Sequence, residues 1–122
     1  MGEKKVIRDG KVAVLVSPGH GAGWSSWAGG EAPASELLFD PELVALVEKK
    51  ARLHDEGRDA PAWREAIREA EEYAAKKWPQ VYTGGVAKLR IEWVPVGTSF
   101  RIDEYDGSES LVSSGSEEWI TA

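Results

Sequence analysis

The sequence predicts an α+β fold: a strongly twisted antiparallel sheet, built from an N-terminal hairpin and the C-terminal strands, with two helices packed on one face. Three observations predict it. An Asp9-Gly10 pair separates two apolar arms near the start, two stretches between residues 40 and 77 carry apolar side chains at helical spacing, and residues 87–105 alternate apolar with polar. A length of 122 residues with 42% apolar content suits a single domain over 1–122 with one modest core.

The hairpin comes first. Asp-Gly is the preferred pair for a two-residue type I′ turn, and here it joins Val6-Ile7-Arg8 to Lys11–Val16. The second arm does not alternate. Five successive apolar residues from Val12 to Val16 predict a strand covered on both faces or one lying at an oligomer contact. The glycine-rich stretch 17–30 fits no regular element. Asp40-Pro41 opens the first helix, since aspartate is a good N-cap and proline is favoured at the first helical position, and Leu43, Val44, Leu46 and Val47 form its apolar stripe up to a stop at Gly57. A second helix follows Asp59 and runs to about Lys77, with Trp63, Ala66, Ile67, Ala70, Tyr73 and Ala74 on one face; Trp78-Pro79 ends it. Ala87, Leu89, Ile91 and Trp93 then alternate with charged residues as a half-buried strand does, and Pro95–Thr98 turns the chain. Ser99–Tyr105 forms the next strand, Asp106-Gly107 offers another hairpin turn, the serine-rich segment 108–116 reads as short loops, and Glu118–Thr121 reads as a final edge strand.

Composition excludes several classes of function. The segment after Gly2 has no apolar region of signal-peptide length and no run near 18 apolar residues, so neither a secretory signal nor a membrane span is expected. The absence of cysteine removes disulfides, thiolate nucleophiles and cysteine-bound zinc, and fits a reducing cytoplasm. A net charge of −6 argues against binding long nucleic acid, so an anionic ligand must be held by a local site.

The candidate for that site is the loop Gly19-His20-Gly21-Ala22-Gly23-Trp24-Ser25-Ser26-Trp27. It lacks the Gly-Lys-Ser/Thr ending of a Walker loop, and no helix starts where a dinucleotide fingerprint needs one. Its glycines nevertheless permit positive φ, so consecutive backbone N–H groups can converge on an anion, while Trp24 and Trp27 offer faces on which a base could stack. The plainer reading of the same string is an Ω-like loop whose tryptophans fold back onto the core. His20 is a candidate ligand contact, but with only His54 besides it a two-histidine metal site is not expected. Arg101 is the candidate cation for a phosphate or an adenine face, or else an ordinary strand partner of an acidic residue, and Arg90 is open to the same two readings. No nucleophile elbow, acid–base pair, metal site or cofactor motif is found, so no catalytic residue is assigned. The charged runs at 48–52 and 64–77 read as solvated helix faces.

The strings Val16–Trp27, Leu38–Val44, Val81–Gly85 and Trp93–Ile102 resemble a family of small proteins encoded in bacteriophage genomes, over nearly the whole chain. By its small size, its glycine-tryptophan loop and its lack of catalytic residues the chain is similar to phage anti-defence sponges of the Thoeris anti-defence type. The resemblance implies a non-enzymatic homo-oligomer in the host cytoplasm that binds a cyclic nucleotide immune signal, a cyclic ADP-ribose isomer or a cyclic oligonucleotide, without turnover. The alternative from the residues themselves is an acidic protein that inhibits a host factor by direct contact.

Overall fold

Asp9 and Gly10 both adopt positive φ, 51° and 75°, as a type I′ turn demands, and fold β1 (Ile7–Arg8) onto β2 (Lys11–Val16) with Ile7 opposite Val12. The computed structural model describes residues 5–18, 23–27, 34–54, 61–81, 85–105, 108–114 and 120–122. On its other side β2 pairs antiparallel with β3 (Arg90–Pro95), Ala13 facing Trp93 and Leu15 facing Ile91, so the strand order is β1-β2-β3.

Why β2 does not alternate is now visible. Ala13 and Leu15 point into a core shared with the helices, whereas Val12, Val14 and Val16 point into a second core with Val94 and Phe100, and none of the five is more than 2% exposed. The strand is covered on both faces within one chain. The Val12–Val16 run therefore needs no second copy to bury it.

A short helix α1 (Ala34–Phe39) buries Leu37, Leu38 and Phe39 and was not expected. Asp40 separates it from α2 (Pro41–His54) and caps the latter: its Oδ2 accepts the Leu43 N–H at 3.0 Å and its carbonyl accepts the Val44 N–H at 2.9 Å. The same carboxylate receives the Tyr73 hydroxyl at 2.7 Å and the Lys77 ammonium, both from α3 (Pro61–Lys77), and so ties the start of one helix to the end of the other. Ala66, Ala70 and Ala74 are the buried stripe of α3. Their small size lets the two helix axes approach closely.

The remaining strands β4 (Ser99–Tyr105), β5 (Ser108–Ser114) and β6 (Ile120–Thr121) form a separate antiparallel sheet in the order β5-β4-β6. The class is α+β, as the sequence predicts, with the strands divided between two three-stranded sheets and α2 and α3 on one face of the first. Two local expectations are corrected. Residues 108–114 are a strand and not loops, because Glu109 and Leu111 turn inward and pair opposite Glu104 and Ile102. Val86–Lys88 is a 3₁₀ turn, so β3 starts at Arg90 and not at Ala87.

Candidate functional site

Gly19, His20, Gly21 and Ala22 lie outside the described residues, as do the side chains of Trp27 and His54. Trp24 is a core residue. It is fully buried, its indole N–H donates to the Leu37 carbonyl at 2.8 Å, and its ring meets Trp78 edge-on at 5.6 Å. A ring with no exposed face offers no platform to a ligand, so the stacking role expected of Trp24 does not hold; the fold-back reading of the loop describes it. Ser25 is half-buried at the start of the 3₁₀ turn Ser25–Trp27. Arg101 is exposed on the second sheet and pairs along its own strand with Asp103, Nε to Oδ1 at 2.9 Å.

The described part of the loop does gather donors around an anion, and that anion belongs to the chain. The carboxylate of Glu109, 2% exposed, accepts the Ser17 N–H at 2.9 Å, the Trp24 N–H at 2.7 Å, the Ser26 N–H at 3.0 Å and the Ser26 hydroxyl at 2.6 Å. Hydrogen bonds to a charged acceptor contribute about 1.5–3 kcal/mol each. Four of them offset the several kcal/mol that burying an unpaired carboxylate costs. The Glu109 N–H returns a bond to the Ser17 carbonyl at 2.8 Å. Gly85 also approaches this stretch, so closely that a Cβ there would stand 2.3 Å from the Gly23 carbonyl oxygen.

A groove of about 870 Å³, with Pro18 among its lining residues, opens between α2, the 3₁₀ turn 86–88 and β3. That is the size of a small-molecule site. Lys50 and Arg52 of α2, Lys88 of the turn and Arg90 of β3 line it, together with the indoles of Trp63 from α3 and Trp93 from β3. The one carboxylate among its described lining residues, Glu48, is engaged by Arg8 through two hydrogen bonds, one of them Nη2 to Oε1 at 2.9 Å. The guanidinium of Arg8 also lies 5.4 Å over the Trp93 ring, which still keeps 36% of its surface open.

Lys50 reaches across from α2 and donates to the carbonyls of Ala87 at 3.1 Å and Leu89 at 2.7 Å. Burial, and then the positive charge of Arg90, lower its pKa to about 8. On a chain of net charge −6 this groove concentrates positive charge beside two aromatic faces. It can therefore hold an anion that carries a flat ring.

The sequence reading missed Lys50, Arg52 and Lys88 as site residues. Lys50 and Arg52 sit in a charged run that resembles any solvated helix face, and nothing local shows that this face looks onto the end of β3. Arg90 was open to a phosphate-binding reading. Among the described residues no group of three or more His, Cys, Asp or Glu could hold a metal ion, and no helix is long and apolar enough to cross a membrane. Comparison with protein-family models, with curated proteins and with solved structures finds no match to this chain.

Proposed function

We propose that this protein binds and holds a small phosphate-bearing nucleotide in the groove between α2 and β3, without turnover. The observation that carries the reading is the meeting of Lys50, Arg52, Lys88 and Arg90 with the Trp63 and Trp93 rings around one cavity of nucleotide size. Phosphate takes the cations, and the base takes an indole face, a contact worth about 1–3 kcal/mol. The fuller form of the proposal is the sequestration of a cyclic nucleotide immune signal, a cyclic ADP-ribose isomer or cyclic oligonucleotide, by a phage protein in the host cytoplasm. Self-association belongs to this fuller form, and the exposed Ile7 and Val96 supply the apolar surface it would start from.

The test is a thermal-shift and calorimetry panel of those cyclic nucleotides, followed by mass analysis of the recovered ligand. A ligand that binds only the native state raises the melting temperature and returns unchanged. A cleaved product overturns the reading in favour of a hydrolase, and silence across the panel overturns it in favour of a protein-binding inhibitor. One observation favours that second reading. Tyr105 is 78% exposed at the end of β4, next to Glu104, as an aromatic anchor of an acidic interface would be.

A further inference from the structure

A neutral primary amine has two N–H bonds and one lone pair. At Lys50 the Ala87 and Leu89 carbonyls accept two N–H bonds, so the third tetrahedral direction of Nζ is the one left for the lone pair. The side chain lines the groove with Arg90, and Lys88 and Arg52 line it as well. We propose that Lys50 is an amine site that captures a phosphate-bearing aromatic aldehyde as an imine inside the groove. The proposal rests on the nucleotide reading only for the character of the cavity, cationic toward phosphate and flat-walled toward a ring.

Three physical features support it. The lone pair is accessible near neutral pH, since the pKa of Lys50 falls to about 8 through burial and the Arg90 charge, whereas an ordinary lysine stays almost wholly protonated. Among the described residues lining the groove the charged groups are Arg90, Lys88 and Arg52, with Glu48 held by Arg8, so three cations there disfavour the ammonium form of Lys50. The same cations attract the phosphate of the incoming molecule and bring its aldehyde to the amine, while Trp63 or Trp93 takes the ring.

The bonds balance without an outside oxidant or reductant. The Nζ lone pair attacks the aldehyde carbon and forms the C–N bond, the carbonyl π pair moves to oxygen, and a proton passes from nitrogen to that oxygen. The carbinolamine then loses water, taking the second nitrogen proton with the hydroxyl, and leaves C=N.

Pyridoxal 5′-phosphate is the probe. It is incubated with the full chain near pH 7.5, the imine is reduced with borohydride, and the adduct is mapped by peptide mass analysis. The expected result is labelling of Lys50 at least about tenfold faster than any other lysine, with pyridoxal, which lacks the phosphate, reacting about tenfold more slowly at Lys50. Lys50→Arg keeps donors for both carbonyls but removes the nucleophile, so it should lose this adduct while retaining the circular-dichroism spectrum of the parent. Labelling spread over other lysines with Lys50 unmodified overturns the proposal, as does equal reaction of pyridoxal. If Lys50 is labelled but no nucleotide slows the labelling, the amine site stands and the nucleotide reading falls; if nucleotides bind but Lys50 is not labelled, the reverse holds.

Discussion

The carboxylate of Glu109 accepts the backbone N–H of Trp24 at 2.7 Å, across 85 residues of sequence. One side chain of the second sheet thus fixes the end of the glycine-rich loop, and its other oxygen holds Ser17 where that loop leaves β2. Glu109→Gln should destabilise the protein by about 2–3 kcal/mol, because an amide NH₂ would face donors and leave N–H groups of Trp24 or Ser26 unpaired. Urea unfolding at pH 7 measures it. A change below about 0.5 kcal/mol would mean that water replaces the carboxylate at this point.

Gly85 tests a second contact with the same loop. Its φ of −81° is open to any residue, so the glycine is needed for space alone, against the Gly23 carbonyl oxygen 2.3 Å from a Cβ. Gly85→Ala should cost about 1–3 kcal/mol, as overpacking does, and thermal unfolding should show it. Gly97→Ala, at φ 90° and with open space around the Cβ, should cost through backbone strain instead, about 1 kcal/mol.

Most of the scaffold was legible in the sequence, because its signals are local. Asp9-Gly10 fixed the hairpin, Asp40-Pro41 the start of α2, and the alanine stripe of α3 its buried face. The sequence suggests glycine N–H groups that meet a bound anion, and Gly19 to Ala22 lie outside the described residues; the N–H groups of Ser17, Trp24 and Ser26 meet Glu109 instead, which lies in a serine-rich segment that looks like a loop and turns inward only by pairing with β4. Trp24 looked like a ligand platform because tryptophan in a glycine-rich string has no periodicity to assign it to a core. The groove cations were hidden for a similar reason. Lys50 and Arg90 are 40 positions apart and become neighbours only when α2 crosses the first sheet.

Trp24→Ala follows from that correction. It should lose about 3–5 kcal/mol of stability, the usual cost of emptying a large aromatic site, and should leave nucleotide affinity unchanged in whatever fraction stays folded. Calorimetry below the melting temperature separates the two effects. Weakened binding by a fully folded variant would return the ligand site to the loop.

Arg90→Ala and Arg52→Ala should each weaken nucleotide binding about tenfold, the loss of one charge-assisted contact of about 1.5 kcal/mol, and both affinities should fall further as salt is added. Arg101→Ala should change neither, since Arg101 pairs with Asp103 on the second sheet and does not line the groove. Titration of the three variants with one nucleotide at low and high ionic strength measures this. Loss at Arg101 with none at Arg90 and Arg52 would place the phosphate on the second sheet.

Lys50 should give the fold a recognisable pH dependence. Its pKa is lowered in the folded state, from 10.5 to about 8, mainly by burial and then by Arg90, so between these values the unfolded chain binds the proton that the native chain has released. Where the unfolded state holds more protons, stability rises with pH. The native protein should therefore gain stability from Lys50 as pH rises from about 8 toward 10.5, relative to a variant without the amine. Lys77 works in the other direction, because its hydrogen bond to Asp40 raises its pKa and its contribution is lost only as pH climbs through that raised value, above the ordinary lysine range. Comparing Lys50→Met with the parent cancels the Lys77 effect, which both share. Lys50→Met leaves the Ala87 and Leu89 carbonyls without their donor at every pH, so the level of stability should drop while the slope carries the titration. Melting temperatures taken in steps from pH 7 to 10 should rise more steeply for the parent than for Lys50→Met; parallel curves would mean that Lys50 keeps its proton throughout.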